Sequence, residues 1–96
     1  MSSFSFDLPA DFTEREWEWE AKGHFSGARM TVSGRNYRLH FYDAARLNQE
    51  IQSEFERGGV FFEPNLVIVQ SVTRTEMERA AKLLAQSGCA TSLVAE

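Results

Sequence analysis

The chain has 96 residues, 43% hydrophobic and 25% charged, with a formal net charge of -4. That length suits one domain able to bury about 60 to 70% of its unfolded surface, and the composition excludes wholesale disorder. A lone cysteine excludes an intramolecular disulfide and points to a reducing, cytoplasmic setting; no apolar run is long enough for a membrane span, and the opening residues lack the basic start of a secretory signal.

Phe4, Phe6 and Leu8 alternate with Ser5 and Asp7, predicting either a short strand or an apolar arm, and Pro9 ends it. We expect residues 1–13 to form an N-terminal arm and 14–96 a single α+β domain. In residues 14–21 glutamate alternates with apolar residues. This predicts a half-buried strand with Trp17, Trp19 and Ala21 inward and Glu14, Glu16, Glu18 and Glu20 outward. After a turn at Lys22, Gly23 and His24, a second strand places Ala28, Met30 and Val32 inward and Arg29 outward. Ser33, Gly34, Arg35 and Asn36 read as a tight turn. A third strand then carries Tyr37, Leu39 and Phe41 on its apolar face and Arg38, His40 and Tyr42 on the other. Three strands joined this way form an antiparallel meander.

Asp43 has the chemistry of a helix cap, and Ala44, Leu47, Ile51 and Phe55 supply the apolar stripe of the helix that follows, stopped by Gly58 and Gly59. Val60, Phe61 and Phe62 are β-prone, but Pro64 lacks an amide, so residues 60–63 read better as an entry segment than as a separate strand. Were they a strand, the chain from Asn36 onward would have a ferredoxin-like order. Leu66, Val67, Ile68 and Val69 show no polar alternation, which predicts a strand buried on both faces or central in the sheet. Thr73 and Glu76 match a capping box, flanked by a Val72 and Met77 staple, at the start of a helix over 74–87 with Gly88 as its left-handed stop. Residues 89–94 read as a last, shorter strand. The fold expected is a two-layer α+β sandwich: a three-stranded antiparallel meander, then helix, strand, helix, strand.

The charges fall in blocks: residues 1–26 sum to -4, 27–48 to +3, 49–63 to -3 and 64–96 to zero. On the expected meander this sets Glu16, Glu18 and Glu20 beside Arg29, Arg38 and His40, with Tyr42 as an aromatic contact. Such a face is explained by cross-strand ion pairs, which contribute about 0.2 to 1 kcal/mol each, or by recognition of a partner. The interleaved glutamates would repel phosphates and argue against nucleic acid. His24, His40 and Cys89 are the residues able to act as imidazole or thiolate ligands or as a nucleophile and base. They have no metal or catalytic spacing, and Cys89 reads as a buried inert thiol. No enzyme, cofactor or metal chemistry is therefore expected. The sequence points instead to a small acidic protein-binding module, an inhibitor or immunity-type protein for a basic partner being one instance. Its rival is a homodimeric regulatory or small-molecule-sensing domain, with a pocket between sheet and helices and a dimer seam of Phe4, Phe6 and Phe12.

Overall fold

The computed structural model describes residues 3–96, so the first two residues of the expected arm lie outside it. The chain is a mixed α+β fold. Its elements are β1 (Phe4–Asp7), α1 (Phe12–Lys22), β2 (His24–Val32), β3 (Arg35–Tyr42), α2 (Ala44–Glu56), β4 (Leu66–Ile68), α3 (Arg74–Gln86) and a closing 3₁₀ turn (Cys89–Ser92). The described residues form one four-stranded sheet in the order β1-β2-β3-β4, antiparallel except for the parallel β3 and β4 pair.

Phe4 pairs with Val32 and Phe6 with Met30, so the opening is a sheet strand and not an arm, and the boundary expected after residue 13 falls inside α1. Residues 14–21, expected as the first meander strand, are helical. The alternation there is real but secondary. Glu, Ala, Lys and Arg all favour helix, and Phe12, Glu16, Trp19 and Gly23 recur at steps of four, three and four, the positions that turn inward. Glu14 in the first turn and Lys22 in the last suit the helix dipole. On this helix the tryptophans part: Trp17 is 69% exposed, while Trp19 packs against Phe25 with ring centroids 5.0 Å apart. Arg15 and Lys22 lie over the Trp19 ring at 5.2 and 5.0 Å.

The β2–β3 hairpin turns at Ser33 and Gly34, both at positive φ, the primed geometry that matches strand twist. Its inner face joins α1 and α3 in the core, where Phe12, Met30, Leu39, Phe41, Val72 and Met77 are fully buried. Phe12 is therefore core and cannot line the expected dimer seam, while Phe4 and Phe6 pack half-buried against the core.

Both later helices start as read. Asp43 accepts from the Arg46 amide at 2.8 Å, and Thr73 from the Glu76 amide at 3.3 Å. The return half of the capping box is replaced, because the Glu76 carboxylate pairs with Arg79 at 2.9 Å. Residues 60–63 form no strand, so the entry-segment reading holds and the ferredoxin-like alternative loses an element it requires. Two expectations fail at the C-terminal side. The strand at residues 66–69 lies at the sheet edge, not its centre, and is shorter, Leu66–Ile68. Residues 89–94 are a 3₁₀ turn and tail, with Cys89 exposed. The tail still reaches β3, since the Glu96 amide donates to Asn36 C=O at 2.8 Å.

The glycines ending α1 and α3 separate two costs. Gly88, at φ 81, has open space where a Cβ would stand. Gly23, at φ 72, would place a Cβ 2.5 Å from Asp43 Oδ2, the carboxylate that caps α2. Gly88→Ala should cost about 1 kcal/mol from backbone strain alone. Gly23→Ala adds loss of the Asp43 cap, for a total of about 2 kcal/mol, and urea midpoints of the two variants should fall in that order.

Candidate functional site

Cross-strand pairing sorts the side chains of the sheet. Arg29 stands opposite Arg38, and His24 opposite Tyr42, so these residues and His40 share the face away from the core. The position of Arg29, Arg38, His40 and Tyr42 together on the outward face of β2 and β3 is the one the alternation predicted. The glutamate half is not brought there: Glu16, Glu18 and Glu20 are on α1. Glu16 accepts from the Arg74 amide at 2.8 Å and so tethers the start of α3, and Glu18 pairs with Arg15 at 2.8 Å. Arg29 instead meets Glu96, at 3.0 Å.

The far end of the same face is a polar cluster that the sequence reading half anticipated. Tyr42, only 3% exposed, donates its hydroxyl to Glu63 Oε2 at 2.7 Å. Its ring stacks on His24 at 4.4 Å and meets Phe61 edge-on at 6.1 Å. Ser26 Oγ lies 2.8 Å from His24 Nε2. His40 Nδ1 is 3.0 Å from the other Glu63 oxygen, close but not aligned for a directed hydrogen bond. Burial lowers the His24 pKa more than the nearby Glu63 raises it, which keeps its imidazole neutral near pH 7. Burial together with the Glu63 hydrogen bond raises the Tyr42 phenol above its ordinary range, so it stays a donor throughout neutral pH. In the sequence Glu63 stands out, like Asp43, only as a carboxylate at the end of an element, a place where catalytic groups often sit. Its partnership with Tyr42 spans 21 residues, and no local pattern announces it.

Chemically, the cluster is an anchor. Phe61 and Glu63 both turn onto Tyr42, fixing residues 61–63 on the sheet, and the residue between them, Phe62, is turned outward at 83% exposure. Nearby Phe55 is 58% exposed and Val60 80%, and α2 buries none of its side chains fully. No group of three or more His, Cys, Asp or Glu able to hold a metal occurs among the described residues, and no helix there is long and apolar enough to cross a membrane. A cleft of about 370 Å³ lies elsewhere, between β4 and α3, lined by Val67, Val69, Ala80, Leu83, Leu84 and Ser87. No family model, curated protein or solved structure matches this chain.

Two outcomes check the anchor. Tyr42→Phe deletes the hydroxyl bond to Glu63 and should cost about 1.5 kcal/mol, with faster trypsin cleavage after Arg57 as residues 57–64 loosen. Because the folded His24 resists protonation, the unfolded chain binds the extra proton below pH ~6.5, so stability is level above that value and falls as pH drops through it. His24→Gln should remove that part of the decline in urea titrations made on either side of it.

Proposed function

We propose that the chain acts by binding another protein, with no catalytic step, through the surface formed by the end of α2 and residues 57–64. The observation that carries this reading is Phe62, exposed although its neighbours Phe61 and Glu63 are held on the sheet. A large aromatic on a loose loop can be solvated by chance. One displayed by an anchored backbone keeps its binding geometry, which lowers the ordering cost of association. Phe55 and Val60 are further exposed apolar side chains within a few residues of it in the chain, and exposed apolar groups among polar ones mark interaction sites.

Charge selects the kind of partner. Residues 49–63 carry four glutamates against one arginine; Glu50 pairs with Arg46, Glu54 with Arg57 and Glu63 with Tyr42, so Glu56 and the chain's net charge of -4 supply the attraction. The complementary surface is an apolar depression with a basic rim, reached faster at low salt through steering. A cytoplasmic inhibitor or immunity-type protein for a basic enzyme is one instance of this class. Glu16, Glu18 and Glu20 then contribute long-range field, and Arg29, Arg38, His40 and Tyr42 contribute to the scaffold behind the contact surface.

The test is affinity capture from the source cell with wild type and with a Phe55→Ser, Phe62→Ser double variant. Both residues are exposed, so the variant should keep its circular dichroism and urea midpoint within about 0.5 kcal/mol of wild type. Wild type should retain a basic protein that the variant loses at least tenfold, with the association rate falling as salt rises. Equal retention by both proteins would overturn the assignment.

A further inference from the structure

Arg29 and Arg38 carry a second, independent signal on the outward face of the sheet. The His40 amide donates to Asn65 C=O and the Val69 amide to Tyr42 C=O, so the even-numbered residues of β3 turn their backbone groups toward β4. Arg38 therefore faces Arg29 in a non-hydrogen-bonded pair, the antiparallel spacing at which opposed side chains stand closest. Like charges so placed destabilise a sheet unless a counter-charge sits with them.

Arg29 has such a counter-charge. Its Nε donates to Glu96 Oε1 at 3.0 Å, and the Glu96 amide is itself bonded to Asn36 C=O, so the Arg29 side chain is drawn over β3. Two other charges are left open. Asp7 faces Arg29 directly from β1, yet neither Asp7 nor Arg38 has an ion pair among the described residues. Both line one cleft of about 320 Å³, together with Leu8, Pro9 and Gly27, the last in the bulge between Phe25 and Ala28. The cleft thus holds a carboxylate and a guanidinium that do not close on each other.

We infer that this cleft binds a small zwitterion, an α-amino acid with an apolar side chain, whose carboxylate pairs with Arg38 and whose ammonium pairs with Asp7. Charge separates this ligand from its rivals. A phosphate or other simple anion would gain Arg38 but stand beside the carboxylates of Asp7 and Glu96, and a simple cation would meet the two arginines. A zwitterion meets opposite charge at both ends, in charge-assisted hydrogen bonds. Its carboxylate beside Arg38 also relieves the like-charge contact with Arg29, so ligand binding and strand pairing favour the same occupant. Dimensions agree with charge. The strands bearing Asp7 and Arg38 lie about 10 Å apart across β2, a gap that one amino acid bridges with the reach of the two side chains. The cleft volume is at the lower end for small-molecule sites, and Leu8 and Pro9 offer the ligand's side chain an apolar wall.

Titration of the full chain with L-leucine, followed by backbone amide NMR shifts, tests the site. The Asp7, Gly27 and Arg38 amides should shift together and saturate, with half-saturation at about 1 mM, the affinity that two charge-assisted contacts supply. Asp7 and Arg38 are exposed, so Asp7→Asn and Arg38→Gln should keep the wild-type circular dichroism while each weakens leucine binding by about fivefold or more. Two analogues make the same test on wild type, with no variant needed. Leucine amide lacks the carboxylate and N-acetyl-leucine the ammonium, and each should bind about fivefold more weakly than leucine or worse. Inorganic phosphate should also bind less tightly than leucine. Absence of a saturable shift with leucine overturns the inference, as does full binding by either variant. Phosphate or N-acetyl-leucine binding as tightly as leucine overturns it too, since that is the behaviour of a plain anion patch.

Discussion

The C-terminal half of the fold depends on where the chain lands after α2, and Asn65 sets that point. A parallel strand cannot follow its neighbour through a tight turn, so β4 must be delivered by a crossover and then locked in register. Asn65 does the locking at φ 58, a conformation asparagine tolerates better than most residues. Its backbone carbonyl accepts from the His40 amide. Its side-chain nitrogen donates to Arg38 C=O at 2.9 Å and to Val94 C=O at 2.8 Å, and its side-chain oxygen accepts from the Val94 amide at 2.8 Å. One carboxamide thus stands in for a stretch of ladder between β3 and the C-terminal tail, which explains how the tail joins the sheet without becoming a strand.

The neighbouring anchor at Glu63 has a different consequence. Partly withdrawing a carboxylate from water calls for a hydrogen-bond partner, and the Tyr42 hydroxyl provides one. Once Glu63 and Phe61 face inward, strand-like alternation turns Phe62 outward whatever its hydrophobicity. The display of Phe62 is thus a by-product of satisfying a carboxylate, and it links a polar cluster on the sheet to an apolar contact surface beside it.

The charge pattern shows how one set of residues can support two geometries. On a strand, four alternating glutamates would make one acidic stripe. On α1 they are spread around the helix axis, and two have local duties, Glu16 at the start of α3 and Glu18 with Arg15. In residues 49–63 Glu50, Glu54 and Glu63 likewise have partners, in Arg46, Arg57 and Tyr42, and Glu56 is the carboxylate left without an ion pair among the described residues.

The sequence by itself determined the features whose cause is local. The caps Asp43 and Thr73, the stop at Gly88, the turn at Ser33 and Gly34, and the apolar faces of β2, β3, α2 and α3 each follow from chemistry within a few residues. The α+β class follows from those elements. Tertiary structure alone decided the rest. Residues 14–21 satisfy both a two-residue and a helical period, and the choice fell to helix because Phe4–Asp7 takes the sheet position beside β2 while Phe12 and Trp19 fill the core over Phe25. An apolar run such as residues 66–69 records that both sides of a strand are to be covered, but not by what. The Tyr42 and Glu63 pair joins residues far apart in the chain, and only the crossover through α2 brings them within hydrogen-bonding distance.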